Sequence, residues 1–88
     1  MGTVGTTPSA AAVEELVESF AGELTGARLD AGSSLVRQGV NSIALIRLIA
    51  RLEDAFAVEL DLGEILKEPT LAHIATAVVA GLDTKVAP

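Results

Sequence analysis

The sequence predicts an all-α protein of four helices, in which the third helix is short and a long loop joins the first two. Two observations favour this fold class. Three segments place apolar residues at intervals of three and four, which puts them on one face of an α-helix. No segment alternates apolar and polar residues for long enough to indicate a β-strand, since residues 57–60 (AVEL) are too few.

The composition indicates one small domain and excludes several classes of function. The 88 residues are half hydrophobic and one fifth charged, which suffices for one modest core. Twelve acidic and six basic residues give a net charge of −6, so we expect neither nucleic acid nor membrane as a partner. The sequence has no cysteine and one histidine, which argues against disulfides, metal sites and catalytic residues. We expect a cytoplasmic monomer without a secretion signal or membrane span.

The first helix follows a glycine- and threonine-rich lead, residues 1–7. Thr7 and Pro8 predict its start, because a threonine hydroxyl can cap a helix and proline suits the first helical position. Gly26 is expected to end the helix in a left-handed conformation. The residues expected to face the core are Val13, Leu16, Val17, Phe20 and Leu24.

A long connection without helical periodicity follows, over residues 27–40. Leu29 and Leu35, together with Val36, are expected to hold this loop on the core. Ser33 and Ser34 are interpreted as ordinary loop residues, since neither begins an amphipathic helix. An irregular segment of this length in a small domain is often functional.

The second helix has two apolar stripes and begins after Asn41, whose side-chain oxygen can accept a backbone N–H. The stripe that we expect to be buried consists of Leu45, Leu48, Ile49, Leu52 and Phe56. The other, here named the outer stripe, consists of Ile43, Ile46 and Ala50. The outer stripe either packs against the loop or faces a partner protein, and we favour the partner. Arg47 and Arg51 lie on the remaining side. They either pair weakly with Glu53 or Asp54 or influence the choice of partner.

The third helix is predicted to start at Asp61. An acidic N-cap followed three residues later by Glu64 is a variant of the capping box. Pro69 ends this helix within two turns, because proline disfavours helical conformation in the residue before it. The third helix is therefore expected to be the shortest of the four.

The last helix is capped by Thr70 in this interpretation and stops at Gly81. Its expected core face consists of Leu71, Ile74, Ala75 and Val78. His73, in the first turn, is interpreted as a surface or partly packed residue rather than a ligand. The domain is therefore expected to span residues 8–82, and residues 83–88 are expected to form a tail.

Four segments follow one another in the order and spacing of a known family. Residues 35–43 (LVRQGVNSI) contain a glycine, one further residue, a polar residue, a serine and an isoleucine in succession. The other segments are residues 28–30 (RLD), 55–60 (AFAVEL) and 68–71 (EPTL). Together they resemble the attachment segment, first loop, end of the second helix and start of the last helix of phosphopantetheine-dependent carrier proteins. The resemblance covers about residues 8–82.

Two positions depart from the family pattern. Asn41 stands where aspartate is commonest, which keeps the helix cap but removes a negative charge that a modifying enzyme could read. Ala57 stands where glycine is usual, and we expect this to change the turn after the second helix.

The resemblance implies a four-helix carrier-protein bundle that catalyses nothing. It implies that Ser42 carries a 4′-phosphopantetheine arm from coenzyme A, on which a cargo is held as a thioester. A phosphodiester would suit this position, since a helix N-terminus favours an anion. The implied partners are a phosphopantetheinyl transferase, an adenylation or other loading enzyme, and condensing or tailoring enzymes. The residues expected to bind them are Asn41, Ile43, Ile46, Arg47 and Ala50.

Within this family we favour a peptidyl carrier protein of nonribosomal peptide and antibiotic biosynthesis. Fatty-acid carriers usually have a densely acidic second helix, whereas this helix contains Arg47, Arg51 and the outer stripe. The alternatives are an acyl carrier protein of a polyketide or fatty-acid pathway and a small helical interaction module that is never modified.

Overall fold

Four α-helices form the fold, and their order confirms the predicted all-α class. The computed structural model describes residues 9–86, with the side chains of residues 9–83, and contains no strand in that range. The helices are α1 (Ala10–Thr25), α2 (Ser42–Phe56), α3 (Leu62–Lys67) and α4 (Leu71–Val86). α1 packs against both α2 and α4, and α3 packs against α4.

The core lies between α1, α2 and α4 and is closed by the loop and by α3. Its buried residues are Val13, Val17, Ala21, Leu35, Val40, Leu45, Leu48, Ile49, Leu52, Ile65, Leu71, Ile74, Ala75 and Val78. The expected core faces of α2 and α4 are therefore confirmed, with Phe56 partly buried at the end of α2. Phe20, Leu24 and Leu29 are also partly buried and pack against this core.

The expected core face of α1 is wrong at one residue, because Leu16 is 44% exposed. The buried stripe runs through Val13, Val17 and Ala21 at intervals of four residues. A helix turns by about 100° per residue, so this stripe moves round the helix away from Leu16. Leu16 therefore lies at the edge of the contact and faces solvent.

α1 starts at Ala10, later than the sequence predicted. Thr7 and Pro8, the predicted start, lie outside the described residues. The N-cap is Ser9, whose Oγ accepts a hydrogen bond of 3.1 Å from the backbone N–H of Ala12. At the other end Gly26 has a φ of 70° and donates its N–H to the carbonyl of Gly22. The predicted left-handed C-cap is confirmed.

Gly81 does not stop the last helix, so that prediction is wrong. α4 continues to Val86 and includes residues 83–86, which were expected in the tail; residues 87–88 lie outside the described residues. A Cβ at position 81 would lie 3.1 Å from Cβ of Val58 and 3.2 Å from its Cγ1. Glycine is used here because the segment after α2 approaches the helix closely.

The predicted caps of α3 and α4 are confirmed. The carboxylate of Asp61 accepts a hydrogen bond of 3.3 Å from the N–H of Glu64. The hydroxyl of Thr70 accepts one of 3.0 Å from the N–H of His73. Pro69 lies between the two helices, and α3 ends at Lys67 after six residues.

Ala57 ends α2 as a left-handed C-cap, and the expected change in the turn relative to the family stays a prediction. Its φ of 55° and ψ of 46° are left-handed, and its N–H bonds to the carbonyl of Glu53. Alanine therefore adopts the conformation that glycine adopts without cost.

Candidate functional site

The N-terminus of α2 presents a free serine hydroxyl. Ser42 is the first residue of the helix and is exposed, and its hydroxyl makes no hydrogen bond within residues 9–86. Asn41 precedes it as the N-cap, and Asn41 Oδ1 accepts a hydrogen bond of 2.8 Å from the N–H of Ala44. The first backbone N–H groups of a helix have no partner within the helix. Those of Ser42 and Ile43 find none elsewhere in the described part of the chain, so they can bind an anion.

The two residues that precede Asn41, Gly39 and Val40, set the direction in which the chain enters α2. Gly39 has a φ of 94°, a conformation that residues with a Cβ rarely adopt. Val40 is buried, and its N–H donates a hydrogen bond of 2.9 Å to the carbonyl of Leu35. Gly39 thus turns the chain, Val40 anchors it, and Ser42 emerges at the surface.

The long loop is tied to the junction between α3 and α4. The N–H of Leu35 donates to the carbonyl of Pro69 at 2.8 Å, and the N–H of Ala72 donates to the carbonyl of Ala31 at 3.0 Å. Leu35 is fully buried, as expected, whereas Val36 is 62% exposed and does not hold the loop on the core. Of these two residues, Leu35 alone therefore fastens this part of the loop to the core.

Gln38 organises the loop from within, a role that the sequence did not indicate. Its side-chain Oε1 accepts a hydrogen bond of 2.7 Å from the N–H of Asp30. Its Nε2 donates to the carbonyls of Asp30, Ser33 and Ser34 at 3.0, 3.1 and 3.4 Å. No periodicity or local motif marks such contacts, because the partners lie four to eight residues away along an irregular chain.

The outer stripe of α2 is exposed. Ile43 and Ile46 are 65% and 50% exposed, and Ala50 is also exposed, so the stripe does not pack against the loop. An open groove of about 210 Å³ borders it; its lining residues are Ile46, Ile49, Ala50, Glu53, Leu60 and Leu62. The start of α2 therefore combines a free hydroxyl with an adjoining apolar surface.

The two arginines of α2 have different surroundings. Nη2 of Arg51 lies 3.1 Å from Oε1 of Glu23 on α1, and the Arg51 guanidinium lies 5.0 Å from the ring centroid of Phe20. The local pairing of Arg51 with Glu53 or Asp54 that we considered is wrong, and Glu53 instead accepts a hydrogen bond from the N–H of Leu60. Arg47 is exposed and has no ion pair among the described residues.

Two kinds of feature, a metal-binding cluster and a membrane-spanning helix, are absent from the described part of the chain. Residues 9–86 contain no group of three acidic, histidine or cysteine side chains that could hold a metal ion. None of the helices in that range is both long and apolar enough to cross a membrane. His73 is partly buried in the first turn of α4, as expected.

Residues 11–78 match the protein-family model described as PP-binding, phosphopantetheine attachment site. The chain belongs to this family. The matched region includes α1, the loop, all of α2 and α3, and the first half of α4. Phosphopantetheine carriers of this family are not enzymes; a phosphopantetheinyl transferase modifies them with a covalent 4′-phosphopantetheine group. No curated protein and no solved structure matches the chain significantly.

Proposed function

We propose that Ser42 is the attachment residue for 4′-phosphopantetheine. The observation that carries the proposal is its exposed hydroxyl at the start of α2, beside two backbone N–H groups. Neither the hydroxyl nor these N–H groups have a hydrogen-bond partner among the described residues. The loop serines fit less well. The hydroxyl of Ser33 donates to Oδ2 of Asp30 at 2.6 Å, and Ser34 is partly buried.

The start of α2 suits the chemistry of the modification. In the transfer, Oγ of Ser42 bonds to the phosphorus that bears pantetheine in coenzyme A, and adenosine 3′,5′-bisphosphate leaves as the phosphoanhydride bond breaks. The proton of Ser42 must pass to a base of the transferase, because no described side chain accepts a hydrogen bond from this hydroxyl. The helix N-terminus then stabilises the phosphodiester by about 0.3–1 kcal/mol. The attached group supplies a thiol that holds the cargo as a thioester.

Among the types of carrier protein, the surface of α2 favours a peptidyl carrier of nonribosomal peptide biosynthesis. Ile43, Ile46 and Ala50 present an apolar surface next to Ser42. Arg47 borders it as a cation that makes no ion pair with any described residue. Such a surface favours partner enzymes that bind through apolar contacts rather than through many basic residues. The partners would be an adenylation or other loading enzyme and condensing or tailoring enzymes. An acyl carrier of a polyketide pathway is the second candidate.

The attachment is tested by intact mass after incubation with coenzyme A and a broad-specificity phosphopantetheinyl transferase. The wild-type protein and Ser34→Ala should each gain one phosphopantetheine unit, and Ser42→Ala should gain none. Ser42→Ala should remain folded, with a loss of at most about 0.5–2 kcal/mol, because Asn41 supplies the cap. Modification of Ser42→Ala would refute the assignment, and an unmodified wild type would favour an interaction module.

The role of the outer stripe is tested by Ala50→Asp, which places a charge in the expected contact without touching the core. Loading by a cognate enzyme should slow, while the melting temperature changes little. Ala55→Asp is the matched control, since Ala55 is also exposed on α2 but lies on another side of the helix. Equal rates for both variants with every cognate partner would contradict the docking role.

The peptidyl assignment is tested by the cargo that the modified protein accepts. Aminoacyl loading by an adenylation enzyme should be faster than acyl transfer from acyl-coenzyme A by an acyltransferase. The reverse order would favour the acyl carrier.

A further inference from the structure

We propose that Gln38 is a positioning residue for the modification of Ser42. Its side chain holds the loop in the arrangement in which the transferase meets the serine. This role rests on the proposed attachment at Ser42. It adds a residue of the loop before α2 to those that control recognition by the transferase.

The side-chain amide of Gln38 connects three residues of the loop. Oε1 accepts the N–H of Asp30 at 2.7 Å, and Nε2 donates to the carbonyls of Asp30 at 3.0 Å, Ser33 at 3.1 Å and Ser34 at 3.4 Å. An amide nitrogen has two N–H groups, so the three carbonyls share them. Both ends of the amide are therefore used, which fixes its orientation.

The backbone of Gln38 is held to the same loop. Its N–H donates to the carbonyls of Ser34 at 3.2 Å and Leu35 at 3.1 Å. Gly39, with its φ of 94°, follows directly, and Ser42 lies only four residues after Gln38. The order that Gln38 imposes on the loop is thus transmitted through a short segment to the hydroxyl of Ser42.

The hydrogen bonds of the Gln38 side chain contribute little to the fold itself. Three of the four are exposed and one is partly buried, so water can replace them. The loop is attached to the core by Leu35, Val40 and the backbone bond to Pro69, none of which involves this side chain. Without the amide, the loop stays attached but samples more than one arrangement.

If Gln38 orders the loop without holding it on the core, its loss should have a particular effect on the kinetics of modification. If only a fraction of molecules has the arrangement that the transferase binds, the apparent dissociation constant rises by the inverse of that fraction. The chemical step in the bound complex is unchanged. The KM for the carrier protein should therefore rise while kcat stays the same.

The experiment measures transferase kinetics on full-length wild type, Gln38→Ala, Gln38→Glu and Ser34→Ala. For Gln38→Ala we expect a three- to tenfold higher KM, with kcat within twofold of the wild type. Gln38→Glu keeps the acceptor for Asp30 but loses the donors and places a negative charge beside three carbonyls, so its KM should rise at least as much. Ser34→Ala removes a hydroxyl that makes no hydrogen bond to the described residues, so its kinetics should match the wild type.

Amide hydrogen exchange of the unmodified protein gives a second measurement that is independent of the transferase. The N–H of Asp30 should exchange at least tenfold faster in Gln38→Ala, because Gln38 Oε1 is its acceptor. Amides of the buried part of α2 should keep their protection. A Gln38→Ala protein that loses its native fold would show a stabilising role and would overturn the proposal.

The outcomes separate the two proposals. A wild type that is not modified at Ser42 refutes the attachment site, and the positioning role falls with it. A wild type that is modified at Ser42 with the same KM as Gln38→Ala refutes the positioning role alone. A fall in kcat at unchanged KM also refutes it, because the side chain would then act in the chemical step.

Discussion

Ala57→Gly should stabilise the protein, although it removes a methyl group. Ala57 is the only residue other than glycine with a positive φ among residues 9–86, at φ 55° and ψ 46°. The left-handed conformation costs a residue with a Cβ roughly 1–2 kcal/mol. Glycine avoids this cost but loses about 0.5–1 kcal/mol more chain entropy on folding than alanine. Because Ala57 is exposed and buries little surface, we expect a net gain of about 0.5–1 kcal/mol.

Thermal and urea unfolding measure this gain directly. In a domain of this size it should raise Tm by roughly 2–8 °C. Ala50→Gly is the matched control, because Ala50 is exposed in the interior of the same helix. There the substitution should cost about 1 kcal/mol, since glycine is a poor helix former. If both variants were destabilised to the same extent, Ala57 would not be left-handed in solution and the reasoning would be refuted.

Three further predictions concern stability and are checked by the same unfolding measurements. Leu52→Ala should cost about 2–5 kcal/mol because Leu52 is fully buried, whereas Leu16→Ala should cost under about 1 kcal/mol; similar losses would mean that α1 packs differently. Gly39→Ala should cost about 1–2 kcal/mol through its φ of 94° alone, because nothing lies within 4 Å of the added Cβ; a neutral result would contradict that conformation. Arg51→Ala should cost about 0.5–1.5 kcal/mol by removing its ion pair and ring contact, and Arg47→Ala should be neutral. A larger loss for Arg47→Ala than for Arg51→Ala would mean that Arg47 makes the stabilising contacts.

The departure from the family pattern at Ala57 places alanine in a left-handed turn. The family usually has glycine at this position, and the chain here still ends α2 in the left-handed conformation. The hydrogen bond from the Ala57 N–H to the carbonyl of Glu53 and the burial of Val58 hold the turn in place. Alanine therefore occupies this left-handed turn at the expense of local strain.

Most helix caps and apolar helix faces depend on residues within about four positions of one another and could be predicted from the sequence alone, although the cap of α1 at Ser9 was not. Asn41, Asp61 and Thr70 were predicted as caps because a cap bonds an N–H two or three residues along the chain. The buried face of α2 was predicted because its five apolar residues follow the helical repeat. Ser42 was singled out by the resemblance of one short segment, with its glycine, polar residue and serine, to the attachment segment of carrier proteins, and its role stays a prediction.

Features that depend on distant neighbours were decided only by the tertiary structure. Position 81 requires a glycine within α4 because Val58 packs against it, and Leu16 is exposed because the contact of α1 follows Val13 and Val17. Arg51 pairs with Glu23, which lies 28 positions earlier, whereas Arg47, the other arginine of α2, has no ion pair in the part of the chain that the structure describes. The residue type alone therefore does not determine the role of a glycine or an arginine. Packing and charge pairing depend on distance in space rather than on separation along the chain.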